Sequence, residues 1–198
     1  MSKQTTINPA AVIILAAGLG TRMKSDSPKV LHEIAGQPMI KHLIDSAEKI
    51  GPERIVVVSA VANEDVQTIV APHPIAIQAE QLGTGHAVLS TAKQMAGFKG
   101  DVLILFGGDP LITPKTMNQL LERRRQADNP SVVVLGFQPT DPGLYGRLIF
   151  DNENNLTKIV EAHDASREQL NLRMCNAGVM AVDSTRLFDL LNSIGNDN

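Results

Sequence analysis

Residues 12–15 (VIIL), 55–58 (IVVV) and 102–106 (VLILF) are wholly apolar stretches too short to be core helices. A strand with one face in water alternates polar and apolar residues, so an unbroken apolar run predicts a strand covered on both faces. The segments between these runs have helical spacing. In PMIKHLIDSAEKI (38–50), Met39, Ile40, Leu43, Ile44, Ala47 and Ile50 fall on one face, with Pro38 at the first turn and Gly51-Pro52 as the stop. EDVQTIVA (64–71) predicts a short helix ended by Pro72 and Pro74, and IAIQ (75–78) a further strand. GHAVLSTAKQMA (85–96) and PKTMNQLLERRRQA (114–127) each predict one helix, and SVVVLGF (131–137) another strand. Strand and helix in alternation predict an α/β, Rossmann-like fold: a mostly parallel mixed sheet with helices on both faces. GRLIFDNENNLTKIVEA (146–162) breaks this rhythm with two strand-like runs around a polar turn, a hairpin signal. Residues 1–10 are expected to be a flexible tail and 11–198 one domain. The polar close, NSIGNDN, is expected to add no further core element.

Composition excludes several classes. A net charge of −3 argues against nucleic acid as a partner. The dense basic run Arg123-Arg124-Arg125 lies in a helical pattern and is expected to be a solvated helix face. No apolar run approaches the roughly 18 residues of a membrane span, and the polar start has no signal-peptide core. The single cysteine, Cys175, fits a reducing compartment and reads as a packed thiol in the strand-like MCNAGVM. A cytoplasmic protein is expected. His32, His42, His73, His86 and His163 are scattered without metal-ligand spacing, and the seven methionines fit core packing.

Ligands of open parallel sheets sit beyond the carboxyl ends of the strands. The first such stretch is ILAAGLGTRMKSDSPKVL, residues 14–31. Gly18 and Gly20 let backbone N–H groups approach a phosphate. Arg22 offers a planar fork for phosphate oxygens and Lys29 a point charge, with Lys24 in the same loop. The loop is not a dinucleotide fingerprint. Met23 stands where a third glycine belongs, and the second strand ends in Ser59-Ala60 without an acid for a ribose. A turn needing glycine for geometry alone would explain the glycines but not the crowded cations.

LAAGLGTRM…PKVL resembles the signature of sugar-1-phosphate nucleotidyltransferases. QAEQLGTGHA (78–87), YGRL (145–148), IVEAHDAS (159–166) and CNAGVM (175–180) narrow the resemblance. It becomes one to the uridylyltransferase domain of bifunctional bacterial N-acetylglucosamine-1-phosphate uridyltransferase/glucosamine-1-phosphate acetyltransferases, from about Ala11 to the end. It implies transfer of a uridylyl group from UTP to N-acetylglucosamine 1-phosphate, with loss of pyrophosphate, toward cell-envelope precursors. Leu15, Ala16, Ala17 and Gly18 would lie along the nucleotide, with Arg22 and Lys29 facing its triphosphate. Gln78, Gln81, Gly83 and Thr84 would read the uracil, whose donors and acceptors an amide can match. Gly146, Glu161 and Asn176 would hold the sugar, and His163 would neighbour a phosphate. Mg²⁺ is the implied cofactor.

Two departures from the pattern stand out. The family's metal-binding aspartate aligns with Gly108, and the acid comes one residue later as Asp109. A one-residue shift near a strand end turns a side chain toward the other face, which the pliable Gly107-Gly108 pair could offset. Asp109 is the candidate metal ligand, and a turn-capping aspartate before Pro110 is the other reading. The resemblance also implies a second metal ligand and a β-helix acetyltransferase domain beyond Asn198. No acetyltransferase activity, impaired uridylyl transfer and a monomer or weak dimer are therefore expected of this stretch, with trimers formed through the β-helix. A transferase for another sugar phosphate and a non-catalytic nucleotide-sugar-binding module are the alternatives.

Overall fold

The computed structural model describes residues 8–18, 20, 23, 25, 27–61 and 63–194. The chain divides into two compact units, unit 1 from 1–133 plus 181–198 and unit 2 from 134–180.

Unit 1 is built on the apolar runs. β1 (Ala10–Leu15), β4 (Arg54–Ala60), β5 (Ile75–Gln78) and β6 (Asp101–Phe106) lie in the order β5-β4-β1-β6. The pairings of β1 with β4 and β6, and of β4 with β5, are parallel. Every residue of β1 is buried, as expected of a strand covered on both faces. Ile13, Ile14, Val56, Val57, Leu103 and Leu105 form the centre of the core. Complete burial of one such side chain contributes about 1.5–3 kcal/mol. Leu15 pairs with Val58 on one side and Phe106 on the other, and Ala60 pairs with Gln78. The loops leaving β1, β5 and β6 therefore start at one edge of the sheet.

The small strands β2 (Glu33–Ile34) and β3 (Gln37–Pro38) form a hairpin before α1 (Met39–Glu48), whose Met39, Ile40, Leu43, Ile44 and Ala47 are buried. α2 spans Glu64–Val70. α5 (Pro114–Arg124) starts at an N-cap, Thr113, whose side chain accepts from the Thr116 N–H, with Pro114 at its first position.

Three expectations need correction, and one helix was not expected. The helix expected over 85–96 is two: α3 (Gly83–Leu89) and α4 (Ala92–Met95). Ser90 and Thr91 hydroxyls donate back to the carbonyls of Ala87 and Val88 and end the first one. α7 (Ser184–Asn192), capped by Asp183 and burying Leu187, was not expected; it ends at the first residue of the polar close NSIGNDN, whose Ile194 is exposed. Residues 1–7 of the expected tail lie outside the described residues. Asn8 to Ala10 are held: Arg125 donates to the Asn8 carbonyl, the Asp101 N–H to Pro9, and Ala10 opens β1. Finally, the arginine run is not a solvated face. Arg124 is buried, donates to Asp183 at 2.6 Å and sits 3.4 Å from Asp101, while Arg125 donates to Asp101 at 2.6 Å. Of the three, only Arg123 makes an exposed pair, with Asp128.

Unit 2 holds the expected hairpin. β8 (Arg147–Phe150) and β9 (Leu156–Val160) pair antiparallel, with an irregularity between Ile149 and Phe150. Asp151 closes the turn by accepting from the N–H groups of Glu153 and Asn155. Arg147 also faces Cys175, the first residue of β10 (Cys175–Asp183), whose thiol is fully buried as expected. The short α6 (Arg167–Leu170) carries a capping box from Ser166 and Gln169. The chain passes between the units through β7 (Val132–Phe137) and β10.

Candidate functional site

The loops at the strand ends of unit 1 enclose a cavity of about 380 Å³, a size suited to part of a nucleotide. Leu15, Ala16, Ala17 and Gly18 line it from β1 and the loop after it. The loop is fixed at its root, where the Ala16 N–H donates to the Val58 carbonyl at 2.8 Å. Gln78 lines it from the end of β5, Gln81 from the segment before α3, Gly83 and Thr84 from the start of α3, and Asp109 from the turn after β6. Gln81 ties two of these segments together by donating to the Ala17 carbonyl at 2.8 Å.

Lys29 reaches the cavity from the 3-10 turn Lys29–Leu31, and two glycines explain its path. Gly20 has φ +59, and a Cβ there would lie 2.7 Å from Lys29 Cβ. Left-handed geometry and close contact both demand glycine. A Cβ on Gly108 would lie 2.7 Å from Lys29 Nζ. The ammonium group thus occupies space that a side chain at 108 would take.

Arg22, Lys24 and Thr21 fall outside the described residues, so the expected role of Arg22 acquires no geometry. Asp109, by contrast, lines the cavity on a turn closed by its N–H donating to the Phe106 carbonyl at 2.9 Å. Burial pushes its carboxyl up from the usual carboxylate range, and the nearby Lys29 charge opposes this only in part. Among the described residues no three His, Cys, Asp or Glu side chains are grouped as a metal site. A single carboxylate nevertheless suits a magnesium ion that takes its remaining ligands from substrate phosphates and water.

The expected sugar residues gather within unit 2. The Asn176 N–H donates to the Gly146 carbonyl at 2.8 Å, and a Cβ on Gly146 would lie 3.1 Å from Glu161 Oε1. Asn176 Oδ1 accepts from the Gly178 N–H at 2.9 Å. His163 is exposed and faces Asp164 at 3.2 Å.

Sequence reasoning missed two residues beside these groups. His86 on α3 sits 3.2 Å from the Gln78 amide. Its position eight residues after Gln78 was legible, but a scattered histidine gave no reason to join the two. Arg147 is buried at the start of β8, and its guanidinium donates to the carbonyls of Pro142, Gly143, Tyr145 and Leu170. An arginine after a glycine in a strand pattern reads as exposed.

A profile of the MobA-like NTP transferase domain matches residues 12–172. The bifunctional protein GlmU of Rhodospirillum rubrum is 54% identical over 188 residues, which cover 95% of this chain and 42% of that protein. GlmU of Paramagnetospirillum magneticum is 51% identical over 188 residues, with the same 95% and 42% coverage. The chain spans less than half the length of these relatives. Among solved structures, a UDP-glucose pyrophosphorylase complexed with UDP-glucose superposes with a TM-score of 0.74 at 17% identity, covering 96% of this chain and 82% of that one. HddC from Yersinia pseudotuberculosis, complexed with GMP-PN, gives 0.68 at 22% identity, covering 90% and 79%. At such identities these two establish the shared fold. No described helix is long and apolar enough to cross a membrane.

Proposed function

This chain belongs to the MobA-like NTP transferase domain family, and from that premise we propose that it transfers a uridylyl group from UTP to N-acetylglucosamine 1-phosphate. One observation carries the reading. Leu15 to Gly18, Lys29, Gln78, Gln81, Gly83, Thr84 and Asp109, drawn from separate strand ends, line one cavity. The identity to the GlmU proteins supports the choice of sugar phosphate and base.

In this mechanism unit 1 binds UTP. The backbone from Ala16 to Gly18 follows its phosphates, and Lys29, steered over Gly108, offsets their charge. Gln78 and the Gly83-Thr84 backbone select the base, and the bond from Gln81 to Ala17 keeps the base-reading and phosphate-binding segments in register. In unit 2, Gly146, Glu161 and Asn176 hold the sugar, with Glu161 accepting from its hydroxyls. An oxygen of the sugar phosphate attacks the α-phosphorus of UTP in line. The bond from that phosphorus to the bridging oxygen breaks, and pyrophosphate leaves with its electron pair. No protein nucleophile is needed, so the protein contributes position and charge. Asp109 would hold Mg²⁺, which when bound would neutralise charge on the phosphate oxygens.

The test combines calorimetry of UTP and UDP-N-acetylglucosamine with a magnesium-dependent pyrophosphate-release assay. Both nucleotides should bind, and Lys29→Ala should lower kcat/KM by about 100-fold or more. Failure of either nucleotide to bind the folded chain would end the proposal. Binding without pyrophosphate release would reduce it to a nucleotide-sugar holder.

A further inference from the structure

The amide of Gln78 has one chemically consistent orientation. Gln78 ends β5, is buried, and lines the cavity. Its Nε2 lies 3.2 Å from the Gly83 carbonyl oxygen and 3.2 Å from His86 Nδ1. A carbonyl oxygen can only accept, so the group facing Gly83 is the NH₂. Its second hydrogen is then directed to His86 Nδ1, which must accept it. That fixes His86 as the neutral ring with its proton on Nε2. Oε1 remains as the open atom of the amide, since among the described residues nothing donates to it.

We propose that His86 is a positioning residue for base selection. It holds the Gln78 amide so that the cavity presents an acceptor, Oε1, to the base. An acceptor fits the N3–H of uracil and opposes the N3 lone pair of cytosine. This rests on the reading that the cavity takes a uridine nucleotide. The last torsion of a glutamine is soft and roughly two-fold, so its orientation must come from its neighbours. Gly83 alone gives a single tether. Gly83 and His86 together engage both hydrogens of the NH₂ and leave the oxygen facing outward.

The experiment measures UTP and CTP affinity by calorimetry for the 198-residue chain, His86→Leu and His86→Asn. Leucine removes the acceptor, whereas asparagine places Oδ1 near the position of Nδ1. The preference for UTP over CTP should fall roughly three- to tenfold in His86→Leu, as loss of one neutral hydrogen bond allows, and should largely persist in His86→Asn. A purely structural role would weaken both nucleotides alike and leave the ratio unchanged, which would overturn the proposal. Loss of the preference in His86→Asn as well would do the same. A second measurement needs no variant: long-range ¹H–¹⁵N spectra of the wild-type chain should show His86 with a bare Nδ1 and a protonated Nε2. A protonated Nδ1 refutes the inference even if His86→Leu does not fold. If wild type binds no UTP, the proposed function fails, whereas an unchanged ratio in a protein that binds UTP defeats only the role of His86.

Discussion

In unit 1, Asp101 is fully buried between Arg124 and Arg125, whereas in unit 2 the buried Arg147 meets four backbone carbonyls and, among the described residues, no carboxylate. The placement differs as much as the pairing. Asp101 opens β6, and the cavity lies past the other end of that strand, at Phe106, Gly108 and Asp109. Arg147 opens β8 directly after Gly146, one of the candidate sugar residues. Unit 1 therefore separates the charges that hold the fold from those proposed to act on a ligand. Unit 2 places them next to each other. A substitution in unit 1 can strike one role alone, whereas in unit 2 the two roles should fail together.

Asp101→Asn tests the first half of this contrast and should have the largest effect on stability. Asp101 Oδ1 and Arg124 Nε are buried without a hydrogen-bond partner, so their pairing at 3.4 Å is electrostatic. Removing the negative charge leaves two guanidinium groups competing for what remains, at a cost of about 3 kcal/mol. Denaturant melts should show the loss, while UTP affinity of the folded protein stays within about twofold, less than one net hydrogen bond is worth. If UTP affinity falls in proportion to stability, the segregation is not real.

Arg147→Met tests the second half. Methionine keeps the length of the stem and removes a buried cation, which offsets part of the damage. Four carbonyls lose their donor, and the net cost should be about 2 kcal/mol. The loss should appear in hydrogen exchange as faster exchange across 142–150. KM for the sugar phosphate should rise, with UTP affinity unchanged. A stable variant with an ordinary KM would show that Arg147 positions nothing.

The same contrast explains how much of the molecule was legible in the sequence. VIIL, IVVV and VLILF were unambiguous because burial on both faces leaves one composition and one length. IAIQ followed from a short apolar run behind Pro74, and the β8–β9 hairpin from two strand-like runs around a polar turn. Arg124 was not legible, because a basic run on a helix has the same appearance whether or not carboxylates from β6 and Asp183 cover it. The break between α3 and α4 depends on Ser90 and Thr91 bonding backwards, and either residue is tolerated within a helix. α7 went unread, although Asp183 caps it, accepting from the Thr185 N–H at 2.8 Å, and its apolar residues are helically spaced. For the candidate site, the strand ends pointed to the loops, and the family resemblance named the residues in them that line the cavity. Neither could supply what steers them, namely Lys29 over Gly108 and His86 against Gln78, because both contacts join segments that only folding brings together.

Asp109→Asn sharpens the comparison from the side of the ligand and should change stability least. Asp109 is a charge that unit 1 leaves poorly matched at its cavity: burial raises its pKa, and the opposing Lys29 charge does not restore it. A carboxyl whose pKa is higher folded than unfolded stabilises the fold below the unfolded value, about 3.9, and that contribution disappears as the pH rises through the folded value. At neutral pH the wild type therefore carries a penalty that asparagine does not. In magnesium-free buffer at pH 7 the variant should melt slightly higher, by no more than about 2 °C. The difference should shrink as the pH falls and vanish below about pH 3, where the carboxyl is neutral in the folded and unfolded states alike. Pyrophosphate release by the same variant should collapse. A variant that melts lower than wild type at pH 7 would mean Lys29 and Asp109 form a stabilising pair, and the line drawn here between fold-holding and ligand-facing charge in unit 1 would have to be moved.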